Sequence, residues 1–186
     1  RMLSVIAHVE VLSAQGQALP DWQATAAKAR ENPAVIGAAP FVAAQALIAR
    51  GDDMRGAIIR GISPVEEATV TPLAAQLDKQ GLLGRLKAGE WGIVLGAELA
   101  RGLGVAEGDK ITLVAPSGQV TPAGVIPRLK QFTVLGTFSA GHYEYDSGLA
   151  LIHVDDAAKL FRVEGPTGVQ LKLADVHAAR EVAAQL

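Results

Sequence analysis

Cysteine is absent from the 186 residues, which excludes disulfides and every cysteine-based metal or redox site. Aromatic side chains are few: four Phe, two Tyr and two Trp. Any core is therefore aliphatic, and a 49% hydrophobic chain has the material for one large domain or two small ones. A strong excess of one charge is also lacking. The formal net charge of −2 offers no global electrostatic footprint for nucleic acid. Long hydrophobic runs are missing too. The most apolar stretch, residues 33–49, is broken by Pro40 and Gln45 and falls short of the ~20 apolar residues of a membrane-spanning helix. There is no signal peptide, and the chain opens on Arg1 rather than Met. It reads as a soluble segment excised from a longer protein.

The signatures of several chemistries are equally absent. None of His8, His142, His153 and His177 stands in a metal-ligand spacing such as HExxH. There is no GxGxxG, no GxxxxGK[ST] and no GxSxG elbow. No cofactor, metal or catalytic role is expected. The acidic pairs read as local structure: Asp155-Asp156 as first-turn residues of a helix, Asp52-Asp53 as a turn, Glu66-Glu67 as a helix start. The densest polar-aromatic cluster is "SAGHYEYDSG", Ser139 to Gly148. It is either a site loop using His142 and Asp146, as a hydrolase would, or a corner. The corner reading needs no partner: Tyr143 and Tyr145 cover a sheet edge while Asp146-Ser147-Gly148 turns the chain.

What is present is a strand–helix alternation. "MLSVIAHVEVLSA" reads as a strand and "LPDWQATAAKAREN" as a helix, opened by Pro20-Asp21 and stopped by Asn32-Pro33. "AVIGAAPFVAAQALIARG" and "MRGAIIRGI" read as strands joined at Gly51-Asp52-Asp53, with Pro40 marking an edge or a bulge. Ser63 to Glu66 has the spacing of a capping box. "EWGIVLGAELARGLGV" reads as strand then helix, "YDSGLALIHV" as a strand with a helix from Asp155, "GVQLKLAD" as a strand and "VHAAREVAAQL" as a helix. The start is strand–helix–strand and the finish strand–helix, and "DWQATAAKAR" is echoed by "DVHAAREVAAQ". The expectation is an α+β fold: one subdomain from both chain ends, residues 1–45 and 164–186, with a β-rich insert at 46–163.

One stretch poses a question. Between the strands "KITLVAP" and "QFTVLGTF" lies "QVTPAGVIPRLKQ", Gln119 to Gln131, with two prolines and a glycine. A two-residue hairpin would show Asn-Gly or Gly-X at its tip. The stretch therefore reads as a longer connection stiffened by Pro122 and Pro127, either a slack loop or a rigid finger.

Three segments in order carry a resemblance: "GIVLGAELARGLGVAEGDKITLVAP", "TPAGVIPRLKQFTVLGTF" and "YDSGLALIHVDDAAKLF", preceded by "RGAIIRGISPVEE". Together they resemble the first periplasmic domain of the membrane subunits of lipoprotein-releasing ABC transporters, the LolC/LolE family within the MacB-like group. The resemblance implies a porter-like βαβ subdomain with an inserted mostly-β subdomain. It implies a non-catalytic domain on the periplasmic side of a multi-pass inner-membrane protein. Its expected partners are a sister membrane subunit, a separate cytoplasmic ATPase, the lipoprotein substrate and a LolA-like periplasmic lipoprotein chaperone. The family captures that chaperone with a protruding β-hairpin, the hook, matched here by residues 117–127. The implied binding residues are Val120, Thr121, Pro122, Ala123, Gly124, Val125, Ile126 and Pro127, with Arg128 and Lys130 as a basic patch. Thr112 stands where a basic residue is expected, and Leu129 where a glutamine is. The rival reading is a MacB-like export domain that contacts an adaptor protein.

Overall fold

The computed structural model describes residues 8–12, 22–31, 35–68, 70–122, 124–163 and 166–173. The predicted helix at 176–186 lies outside them. The strands are β1 (His8–Leu12), β2 (Val35–Arg50), β3 (Asp53–Ile62), β4 (Gly92–Gly96), β5 (Lys110–Thr121), β6 (Gly124–Phe138), β7 (Leu149–His153) and β8 (Gly168–Leu173). The helices are α1 (Trp22–Arg30), α2 (Pro64–Glu67), α3 (Pro72–Lys79), α4 (Ala97–Leu103), α5 (Tyr143–Gly148) and α6 (Val154–Phe161), with a 3₁₀ turn at Leu83–Arg85.

One strand organises them. The first part of β2, from Val35 to Phe41, pairs with β8, and β8 pairs on its far side with β1. Helix α1 lies against β2 and β8. Elements from the two ends of the chain thus share one sheet, with α1 packed against it. The rest of β2, from Phe41 to Arg50, pairs with β3. The order then runs β3–β7–β4–β6–β5, and β5 returns to β2 through Leu47↔Val114, Ile48↔Leu113 and Ala49↔Thr112. Six strands therefore close into a barrel. Pro40 stands just before the pairing with β3 begins, and the irregularity in β2 falls at Val35–Gly37 instead.

Side-chain alternation sorts the barrel strands between two cores. Ile93 and Leu95 of β4 and Ala150 and Ile152 of β7 point inward, joining Ile48, Ile59, Leu113 and Phe132. Helices α4 and α6 add Leu99, Leu103, Ala157 and Leu160 to this interior. Val94 and Leu151 point outward and are buried with Leu77 of α3, Leu83 and Leu86. This explains why all five residues of β4 are buried.

Two local expectations change, and a third holds with an added detail. Residues 143–148 form helix α5 rather than the start of a strand, with Tyr143 and Tyr145 76% and 42% exposed. Ser63 does precede α2, but its hydroxyl donates to the Glu66 carboxylate and makes no cap to a backbone N–H, so the capping box is not formed. Helix α6 is capped by His153, whose Nδ1 accepts from Asp155 N–H at 3.0 Å, leaving Asp156 for another task.

Close approaches set two tests. A Cβ on Gly96 would overlap the Asp146 carbonyl and lie 2.7 Å from its carbon. Gly96→Ala should cost about 1–3 kcal/mol by forced backbone movement, seen as a lower Tm; an unchanged Tm would show that β4 and α5 are not packed this way. At the turn into β5, the Ala106 N–H and then the Arg50 guanidinium, each at 2.9 Å, favour ionised Asp109 and hold its carboxyl below its ordinary value. Its contribution is present above the unfolded pKa of about 3.9 and is lost as pH falls through the lower folded value. Asp109→Asn should lower Tm modestly at pH 7, and the gap to the parent chain should close under strong acid.

Candidate partner-binding site

The stretch that read as a long connection is a paired ribbon. β5 and β6 run antiparallel from Lys110↔Thr133 to Ala115↔Arg128 and again from Gln119↔Ile126 to Thr121↔Gly124. Only Pro122 and Ala123 separate the strands, and Ala123 lies outside the described residues. The tip has Pro at the second turn position and Gly at the fourth, the sequence signature of a type I turn. Gly124 takes φ 119°, which a side chain would oppose. Searching for Asn-Gly or Gly-X misses this solution.

Between the two paired stretches the register slips, so that Pro116, Ser117 and Gly118 stand opposite Pro127 alone. Proline supplies no N–H, so a ladder cannot run evenly through Pro116 and Pro127. A bulge of this kind bends its strand and sharpens the local twist. The pairing of β5 with β2 covers only Thr112 to Val114. Pro122, Gly124, Ile126 and Pro127 are exposed, Ile126 at 55%. The side chains of Val120, Thr121 and Val125 lie outside the described set.

Arg128 and Lys130 share a face, as strand geometry requires, but it is the inward one. Their cross-strand neighbours Ala115 and Leu113 are fully buried, and the next inward residue is Phe132. The two cations therefore stand at the barrel mouth. Lys130 Nζ lies 4.3 Å from the Trp91 ring centre, and Trp91 meets Phe132 edge-on at 5.6 Å. An Arg128 amino group reaches the Leu160 carbonyl at 3.5 Å, while its Nε is buried without a partner among the described residues. Burial, and then the nearby Arg162, pull the Arg128 guanidinium below its ordinary value, though it stays charged at neutral pH.

Asp156 underlies this arrangement. Its fully buried carboxylate accepts from Gly89 N–H at 2.7 Å and Trp91 N–H at 3.1 Å. It thereby holds Trp91 at φ 56°, an unusual value for a bulky residue, with the ring under Lys130. The sequence reading of Asp156 as a first-turn residue was correct for its position but missed this role. Helix α6 thus braces the ribbon root twice, through Asp156 near its start and Leu160 near its end.

The rival catalytic cluster does not converge. Asp146 accepts from Ala140 N–H at 2.6 Å, and His142 meets Tyr145 edge-on. Beside them a groove of about 710 Å³ is lined in part by Ile58, Arg60, Leu73, His142 and Tyr145. Arg60 there stacks over Phe41 at 4.0 Å and binds Gln170 at 3.1 Å. Among the described residues, no group of three or more His, Asp or Glu is placed to hold a metal ion, and no helix is long and apolar enough to cross a membrane.

Residues 2–186 match the family model of the MacB-like periplasmic core domain. The chain is 45% identical over 186 residues to the lipoprotein-releasing system transmembrane protein LolC of Xylella fastidiosa (strain Temecula1 / ATCC 700964), covering 100% of this chain and 44% of that protein. It is 42% identical over 167 residues to the LolC of Neisseria meningitidis serogroup B (strain ATCC BAA-335 / MC58), covering 89% of this chain and 40% of that one. The chain therefore spans less than half the length of these relatives. Among solved structures, the extracellular domain of the noncanonic ABC-type transporter YknZ from Gram-positive bacteria aligns with a TM-score of 0.58. That alignment covers 94% of this chain and 88% of the other at 8% identity, so it speaks for the fold alone.

The brace can be tested without a partner. Asp156→Ala leaves two backbone donors without their acceptor and should cost about 2–4 kcal/mol. The urea midpoint should fall at unchanged m, and Trp91 emission should shift to the red as the ring leaves Phe132. A midpoint equal to that of the parent chain would show that the carboxylate does not hold this loop.

Proposed function

The chain belongs to the MacB-like periplasmic core domain family, and from that premise we propose that it is the receptor domain of a lipoprotein-releasing transporter subunit. In this reading the hook, residues 117–127, captures the soluble periplasmic carrier that takes lipoprotein onward. The parent chain spans the inner membrane and works with a sister subunit and a cytoplasmic ATPase, which performs the hydrolysis. The domain itself catalyses nothing. The subdomain division we propose runs from residues 1–45 with 164–186 to the insert at 46–163, with β2 crossing the boundary as one strand.

The observation that carries the reading is a proline-bearing ribbon, paired to its tip and free of the barrel ladder beyond Val114. Pro122 and Pro127 each remove alternative backbone states, at about 0.4–1 kcal/mol apiece where the geometry suits. A finger already in shape lowers the ordering cost of complex formation. Its prolines also discourage indiscriminate strand pairing at an exposed edge.

Replacing residues 122–126 with a Gly-Ser turn should abolish capture of the lipoprotein chaperone in a pull-down while leaving Tm nearly unchanged, because the ribbon beyond the bulge adds nothing to the described cores. Undiminished capture by that variant would remove the chaperone reading. Capture of a membrane-fusion adaptor instead would favour the export alternative.

A further inference from the structure

The polar-aromatic cluster at residues 139–148 has no part in the hook, yet it borders the groove of about 710 Å³. Ligand clefts typically measure about 300–1,000 Å³. The floor is the outer face of the barrel at β3 and β7. Ile58, Arg60 and Ile62 share one face of β3, and on β7 Leu149 and Leu151 stand beside Ile58 and Arg60. From Ile58 to Ile62 the floor runs about 13 Å, the span of four strand steps. It deepens along the way, since Ile58 is 41% exposed and Ile62 is buried.

Helices α3 and α5 wall this floor, and they are tied to each other because Gln76 donates to the Ser139 carbonyl at 3.2 Å. Helix α5 is fixed in turn by the Asp146 bond to Ala140 N–H and by its backbone lying against Gly96. A wall already in place lowers the ordering cost of binding. The chain has only two tyrosines, and one of them, Tyr145, lines the groove with much of its ring exposed. Strand β8 contributes Gln170, which is 6% exposed. Its side-chain oxygen accepts from Arg60 at 3.1 Å, so its amino group points away from Arg60. Among the described residues that amino group has no hydrogen-bond partner. A largely buried amide with unused donors is costly unless an oxygen acceptor meets it. The charges of the groove do not favour an anion. Arg60 and Glu67 face each other at 3.6 Å and offset, and the remaining charged residue of the lining is Glu144.

We propose that this groove is a polypeptide-binding site that takes an uncharged, extended segment of the transporter's protein cargo. The proposal rests on the lipoprotein-transporter reading but not on the hook. An extended chain carries a carbonyl on every residue and turns every second side chain to the same face. One carbonyl meets the Gln170 amino group, while alternate aliphatic side chains settle on Ile58, Leu73 and Leu149 and against the Tyr145 ring. The narrow floor between tied helices admits a single chain about four residues long and excludes a folded surface. The offset charges, with Glu144 at the wall, exclude a phosphate headgroup or an acidic segment.

The test titrates the nitrogen-15-labelled chain with a capped octapeptide of alternating serine and valine, followed by NMR. The side-chain amide signals of Gln170 and the backbone signals of Ile58 and Tyr145 should shift together and saturate, with Kd below about 1 mM. Gln170→Met keeps the length and removes both donors, and should weaken binding about three- to tenfold. Tyr145→Ser, at an exposed position, should weaken it at unchanged Tm and serves if Gln170→Met disturbs Arg60. The same peptide with two valines replaced by aspartate should bind about tenfold more weakly, and the Gly-Ser hook variant should bind the neutral peptide as the parent does. An unmoved Gln170 side chain, equal binding of the acidic peptide, or shifts produced by phosphatidylglycerol vesicles in place of the peptide would overturn the proposal. The occupant is tested in the full-length parent transporter, with Ile58 replaced by photoreactive benzoyl-phenylalanine. Light should link this position to lipoprotein. Linkage to the chaperone or the sister subunit alone, in a transporter that still releases lipoprotein, would overturn the cargo assignment and leave the transporter reading intact. An unmodified parent that releases no lipoprotein would defeat that reading itself.

Discussion

The return of β5 to β2 closes the barrel, and the other features depend on that closure. Without those paired residues, β2 through β5 would be an open twisted sheet with bare edges, exposed to pairing with other chains. With them, the inward residues meet across an enclosed interior that α4 and α6 complete. Because β2 is long enough to pair with β8 before Phe41 and with β3 after it, one continuous strand joins the barrel to β8 and β1.

Closure also fixes what the ribbon can do. Arms that leave a closed barrel start from a defined direction, and the slip between Ala115 and Gln119 resets that direction once. Below the slip, alternation sends Arg128 and Lys130 inward and Leu129 outward. Helix α6 secures the inward pair from both of its ends, with a buried carboxylate that positions Trp91 and a terminal carbonyl that receives Arg128. A cation over an aromatic ring is worth about 0.5–2 kcal/mol depending on burial, enough to favour one orientation of the root. The charges at the root of the ribbon thus act on its posture.

The sequence by itself determined the α+β class, the strand–helix alternation and the place of the proline-bearing hairpin, because hydrophobic period, β-branching and Pro/Gly punctuation are local properties that residues carry wherever they are placed. "KITLVAP" and "QFTVLGTF" announced two strands, and Pro122 and Pro127 announced a stiffened tip. The pairing of the intervening residues was not legible, because a Pro-Ala tip followed by Gly124 closes a hairpin by a less familiar turn. Tertiary structure alone decided which face each alternation turned to the interior. Arg128 and Lys130 lie on one side of a strand whatever the fold, but that side became the inner one only when Leu113 and Ala115 were buried by barrel closure. Asp156 looked like a helix-start residue because it is one; its second role depends on a loop 65 residues away in sequence meeting α6.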